Sequence, residues 1–396
     1  MRKCCICFLI FVFGICTYGN LQAADKKMTC SGKVVDSQKQ PIAKVKVGLY
    51  KVKISTQTYS YDTELVQQVT TKDDGGFVLE KEAGDDVPSQ FVVLAEKEGL
   101  AMGWVNWRKI KENLETEITL TKAMILAGKV VDGSGDPIGD VDITISFMMI
   151  TDNGQPQYLI GKASDELFAT KTNANGEFTF NRIRTGATAE FTLKKTGLAT
   201  VSTFEPAGFS GTTLKYPAGQ KDIKIEMGPE AKIEGIVVEK GTDKPVSDIQ
   251  LMAIQGRNRP GFGFEPVVSN ADGTFMIDDL AAGTHIVGLV PPREELADWM
   301  AETVEVTTEA GKTQSGIKIE VRKGGILEVS ITNAEKKPVE KASVRIRQGE
   351  SGQWLSCRSD KDGLARIRLL AGDYQMRGVY KEGYSRSLGS RMAGTG

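Results

Sequence analysis

Histidine is almost missing: His285 is the single one in 396 residues. A zinc peptidase needs two histidines and a glutamate on its metal, and a Ser-His-Asp hydrolase needs a base held by partners, so both lose their equipment. H-E-x-x-H, G-x-S-x-G and P-loop patterns are missing too. Neither charge is in excess. The 50 Lys+Arg and 51 Asp+Glu are mixed along the chain, leaving no electrostatic footprint for nucleic acid and no polybasic membrane patch. No catalytic residue, cofactor site or metal set is assigned, and the chain is expected not to be an enzyme.

Long apolar runs are lacking beyond the first residues. There, Arg2 and Lys3 precede a thirteen-residue apolar stretch, Cys4 to Cys16, and a small-residue site at Ala23-Ala24. This is the pattern of an export signal, residues 1–24, and it falls short of the roughly 20 residues of a membrane span. Ile15 stands where a lipoprotein signal needs a small residue before Cys16. The mature chain is expected to be exported (periplasmic, cell surface or secreted) with no integral membrane segment. Cysteine is scarce: four of six leave with the signal, and Cys30 and Cys357 remain near opposite ends. They are expected to be isolated buried thiols, because domains strung in a row keep them beyond the ~7 Å that a disulfide tolerates.

What the chain does contain is repetition. "GKVVDSQKQPIAKVKVGLY" starts at Gly32, "GKVVDGSGDPIGDVDITISF" at Gly128, "GIVVEKGTDKPVSDIQLMAI" at Gly235 and "VSITNAEKKPVEKASVRIR" at Val329. The intervals of 96, 107 and 94 residues are each the size of a small domain. In each copy a β-branched run is followed by a polar turn ending in Pro41, Pro137, Pro245 or Pro338, then by alternating apolar residues such as Val45, Val47, Leu49. Period-two alternation bounded by turn residues signals half-buried strands.

A second landmark is "TKDDGGF" from Thr71, with counterparts "TNANGEF" from Thr172, "SNADGTF" from Ser269 and "SDKDGLA" from Ser359. A calcium loop needs further carboxylates at set positions, which none of the four supplies, and Asn175 replaces the acid in the second. The stretch is therefore expected to be a hairpin turn, with Asp-Gly or Asn-Gly supplying positive φ and the Ser or Thr bonding nearby backbone. Alternating runs such as "EITL", "IKIEM" and "IKIEV" close the first three copies. Helical periodicity is confined to one candidate, "PREELADWMAETV" near Trp299.

This order of landmarks resembles the carboxypeptidase regulatory-like domain, a transthyretin-like (prealbumin-like) sandwich. "GKVVD…P", "[ST]xx[DN]Gx[FA]", "LxxG" and "KEGY" carry the likeness, most fully in copies two and three. The resemblance implies an all-β, tandem array of four small antiparallel seven-stranded (transthyretin-like) β-sandwich domains: 25–124, 125–229, 230–322 and 323–396. It implies modules of exported bacterial proteins and no shared activity. Some related collagen-adhesin B-type domains carry a Lys–Asn isopeptide bond. Lys33 and Lys129 sit in the first strand, but Ile236 takes that place in the third copy and the late "ExxAPxGY" stretch is missing, so these lysines are expected to face solvent.

Two segments exceed what turns require. "GWVNWRK" holds Trp104 and Trp107, either capping the first core or leaving one ring free to stack on a sugar or an aromatic partner. "GRNRPGFGFEP" holds Arg257, Arg259, Phe262 and Phe264, in loop packing or in contact. The fourth copy shows no closing alternating run after "KEGYSRSL". An open sheet edge there is expected to accept a strand or pack on the third module. The functional reading is an exported, non-enzymatic scaffold that is structural, adhesive or binding, with a protein or polysaccharide of the cell envelope as partner. The alternative is a carbohydrate-binding protein or an accessory subunit of an extracellular hydrolase.

Overall fold

A computed structural model describes residues 27–54, 61–82, 90–107, 113–152, 154–160, 165–203, 215–255, 266–291, 296–348, 354–381, 387–388 and 391–393. The expected export signal lies outside the described residues. Alternation in the sequence becomes alternation in burial: Glu177–Ile183 buries Phe178, Phe180 and Ile183 while Glu177 and Thr179 face water. Among the described residues, eight sheets pair face to face into four β-sandwiches, each centred on an apolar cluster.

The first sandwich shows the plan. One sheet places Lys27–Val35 between Gly76–Glu82 and Leu114–Thr119; the other runs Tyr61–Thr70, Lys46–Ile54, Gln90–Glu96, Gly103–Trp107. Pairing is antiparallel except where the closing strand meets the opening strand. Leu114–Thr119 lies parallel to Lys27–Val35, as Ile223–Glu226 does to Met124–Val131 and Thr313–Arg322 to Ala231–Glu239. In the fourth sandwich the opening strand Gly325–Ser330 pairs with Leu364–Leu369 alone among the described residues.

The four Ser/Thr–Gly stretches are not hairpin turns. Each leaves a strand of one sheet and enters a strand of the other, as from Tyr61–Thr70 to Gly76–Glu82. The hydroxyl that opens the stretch bonds the loop after the opening strand, far away in sequence. Thr71 Oγ1 donates to Ile42 O (2.8 Å) and accepts from Val45 N–H (3.0 Å). Thr172 does the same with Ile138 O and Val141 N–H, Ser269 with Val246 O and Ile249 N–H, and Ser359 with Val339 O and Ala342 N–H. All four are buried. Beside them the backbone N–H of Lys44, Asp140, Asp248 and Lys341, all at positive φ, bonds the carbonyl of the same Ser or Thr. One Ser or Thr per copy, at the head of the signature stretch, thus latches the two halves of its sandwich.

Thr172→Val tests the latch, since valine keeps the shape and removes the hydroxyl. It leaves a half-buried carbonyl and a buried N–H without this partner and is expected to destabilise the second sandwich by about 2–4 kcal/mol in denaturant unfolding, with Thr172→Ser near wild type. A loss too small to measure would show that the latch is held by the backbone bonds alone.

Helix is confined, among the described residues, to the single turn Asp165–Phe168. The helix expected near Trp299 does not form over its described part: 296–299 is irregular and Met300–Ala301 is a short strand beside Thr313–Arg322. The spacing of Ala297 and Met300 imitates a helix face, but both side chains are taken up by the core of the fourth sandwich. Tertiary burial decides the conformation here.

Candidate contact sites

The strand Gly103–Trp107 turns its two tryptophans to opposite faces, as period two requires for residues three apart. Trp107 points into the first core, its ring 6.4 Å from that of Phe91. Trp104 points outward, yet each ring is only 1% exposed. The outer face of this sheet carries Tyr50, Val52, Val92, Leu94, Met102 and Trp104, and these residues belong to one apolar cluster with the core of the second sandwich. Neither ring offers a face to a sugar. The contact Trp104 makes is internal, between sandwiches.

Polar bonds frame that joint. Asn106 accepts from Tyr158 N–H (2.6 Å) and donates through Nδ2 to Tyr158 O (2.6 Å), while its own N–H donates to Gln157 Oε1 (2.9 Å). Arg182 of the second sandwich donates to Lys97 O (2.9 Å) and stands 3.8 Å from Glu96. Sequence reasoning gave Asn106 and Arg182 no role.

Arg182 marks a position reused at every joint. It lies where the strand Glu177–Ile183 slips register against Met124–Val131, between Phe180 and Ile183. A bulge re-aims the side chain out of the sandwich. Asp279 occupies the matching bulge of the third sandwich at φ 59°, and its carboxylate accepts from Thr200 N–H (2.5 Å) and Thr200 Oγ1 (2.6 Å) of the second. In the fourth sandwich Arg368 reaches back from an unbulged strand, donating to Ala297 O (2.6 Å) and Gly324 O (2.9 Å). One late position on the same strand therefore ties each sandwich to its predecessor, by cation, anion and cation in turn. A comparison of the repeats seeking identity overlooks it, because the conserved feature is the position rather than the residue.

Arg257, Arg259, Phe262 and Phe264 lie outside the described residues. His285 is 2% exposed on its strand; Nε2 stands 2.9 Å from Ala281 O and 3.2 Å from Thr308 Oγ1, and Nδ1 has no partner among the described residues. Among the described residues no group of three or more His, Cys, Asp or Glu is placed to hold a metal ion. Cys30 and Cys357 are both free and buried, in the first and fourth cores. Burial pushes their thiols up to about 12 and about 11, which withholds the reactive thiolate. Lys33 and Lys129 are exposed.

Glu190 is the one described acid buried deeply enough to be 2% exposed, and its Oε2 has no partner among the described residues. Burial pushes its pKa up to about 7, with Lys215 Nζ, 3.9 Å away, pulling the other way. A carboxyl raised above its unfolded value favours the proton-bound native state. Its contribution is therefore fully present below the unfolded value and lost as pH rises through about 7. Glu190→Gln, which carries no charge to bury, is expected to gain stability of the order of 2–3 kcal/mol at pH 8 and almost nothing at pH 4. Thermal melts at the two pH values check this, and an equal gain at both would contradict it.

No family model and no curated protein matches the sequence. Solved structures similar to it include the Bacillus anthracis TIE protein, at 10% identity over 95% of this chain and 74% of that one, with a TM-score of 0.22. Others are a streptococcal ancillary pilin (10% identity, 75% and 99% covered, TM-score 0.25) and BcpA, the major pilin subunit of Bacillus cereus (9%, 74% and 99%, TM-score 0.21). No helix among the described residues is long and apolar enough to cross a membrane.

Proposed function

We propose that this chain is a non-enzymatic scaffold of the bacterial cell envelope: an export signal at 1–24, then four carboxypeptidase regulatory-like sandwiches at 25–124, 125–229, 230–322 and 323–396. Its work is to hold modules in sequence and to present them to a protein or polysaccharide of the envelope. The observation that carries this reading is the reused joint. Arg182, Asp279 and Arg368 each tie a sandwich to the one before, and the first joint adds a buried apolar face. Side chains that would line a ligand cleft in a binding module, Trp104 above all, are instead spent between modules.

The test uses the purified full chain. It is expected to co-sediment with envelope material and to turn over no peptide, ester or glycoside substrate. A turnover that persists through purification, and is lost on replacing a residue of this chain, overturns the reading. Retention of the chain in the cytosol overturns the envelope assignment separately.

A further inference from the structure

The first three sandwiches take their closing strand through a glycine. A Cβ built on Gly32 falls 1.8 Å from Thr116 O, one on Gly128 falls 2.3 Å from Ile223 O, and one on Gly235 falls 2.2 Å from Ile317 O. In each case the oxygen belongs to the residue paired with the glycine across the parallel ladder. The closing strand lies so near at this point that no side chain fits between. On the opposite ladder the same glycine is paired with a buried phenylalanine: Phe77, Phe178 or Phe275. Two of those rings lean into the space a Cβ would claim, Phe77 at 3.3 Å and Phe275 at 2.6 Å.

The fourth sandwich changes both members of the pair at once. Val329 stands at the glycine position and Ala365 at the phenylalanine position, and the two face each other across the ladder. Bulk has moved from one strand to the other, the kind of exchange a packed core tolerates. Val329 packs on the fourth core and Ala365 is fully buried. Among the described residues nothing pairs with the other edge of Gly325–Ser330, and Ile326 on that strand is 52% exposed.

We infer that Val329 closes the fourth sandwich to the parallel closing strand that Gly32, Gly128 and Gly235 admit, so that Gly/Phe against Val/Ala is the pair that decides whether a sandwich takes this strand. A strand brought up at the spacing of the other three meets the valine side chain, whatever molecule or segment supplies it. This replaces the expectation, drawn from the missing closing run, that the fourth edge accepts a strand. It does not rest on the scaffold reading, which concerns what the array holds.

Two experiments on the full chain test it. In the first, Gly32→Val with Phe77→Ala gives the first sandwich the fourth's pair. Hydrogen exchange is expected to show the amides of Leu114–Thr119 losing protection by about a hundredfold or more while Lys46–Ile54 and Gln90–Glu96 stay protected. Undiminished protection of Leu114–Thr119 overturns the inference. In the second, Val329→Gly with Ala365→Phe opens the fourth edge. A fluorescent peptide with the sequence of Thr313–Arg322 is expected to bind this variant at least about tenfold more tightly than the parent chain, read by anisotropy. Equal binding to both chains, or binding to neither when circular dichroism shows the variant folded, overturns it. If the first variant loses protection throughout its sandwich, the peptide experiment alone decides.

Discussion

Gly176→Ala is expected to destabilise the second sandwich by about 3 kcal/mol or more, a large loss for one methyl group. Gly176 sits at φ 73°, where an L side chain costs roughly 1–2 kcal/mol. The added Cβ also falls 2.4 Å from Val130 O and 3.2 Å from Cβ of Pro137. That carbonyl accepts from Ile138 N–H (3.0 Å), and Val130 N–H in turn donates to Gly176 O (2.8 Å), so moving it breaks bonds on both sides. Gly135→Ala supplies the comparison: φ is 89° and nothing lies within 4 Å, so it carries the backbone strain without the collision. Hydrogen exchange over the second sandwich reads both variants. Equal losses would show that conformation, not close approach, is why glycine stands at Gly176.

The same contact recurs at Gly75, Gly273 and Gly363, with Cβ to carbonyl distances of 2.5 Å each, to Val34 O, Val237 O and Ile331 O. Pro41, Pro245 and Pro338 complete the contact as Pro137 does. This explains why the two landmarks travel together. Glycine and proline sit 25 to 39 residues apart in sequence and touch in space, so each preserves the other. The repeats were legible because this contact tolerates little change, and the all-β tandem architecture followed from them. Which sheet each strand joins was not legible: Asp-Gly and Asn-Gly satisfy a hairpin and a sheet crossing equally well by φ alone. The crossing is set by the distant hydroxyl bonds of Thr71, Thr172, Ser269 and Ser359. The helix near Trp299 failed for a related reason, because the apolar pair Ala297 and Met300 reports a burial partner on the next sandwich rather than a helical face.

Candidate contact residues were harder still. Exposure of a strand face depends on what covers it, and the cover of Trp104 arrives from the next repeat. The joint residues Arg182, Asp279 and Arg368 differ in charge, so their common role becomes visible only when the strand and its bulge are placed against the preceding sandwich. The glycine of "GKVVD" had a visible signal of another kind. Its replacement by Val329, together with Ala365 for phenylalanine, stands in the aligned repeats, and its meaning needed the register of the parallel closing strand.

The first joint supplies the other large effect. Trp104→Ala removes a ring that is 1% exposed from the cluster shared by the first and second sandwiches, and the loss is expected to be about 3–5 kcal/mol. How the loss is distributed separates a joint from an ordinary core. Trp107→Ala empties space within the first sandwich and is expected to weaken that sandwich alone. Trp104→Ala opens the face between two sandwiches, so amides at both sides, those of Gly103–Trp107 and Gln155–Ile160, are expected to lose protection together. The polar frame of Asn106 and Arg182 remains in that variant, but hydrogen bonds around a hollow apolar face become accessible to water and contribute less. Trp104→Phe, which keeps an aromatic ring and drops an Nε1 that has no partner among the described residues, is expected to retain most of the stability. If Trp104→Ala leaves exchange at Gln155–Ile160 unchanged, the two sandwiches are tethered neighbours and the apolar face contributes nothing to holding them. If both sides loosen together, the first two repeats unfold as one body, and the array's first mechanical unit is a pair.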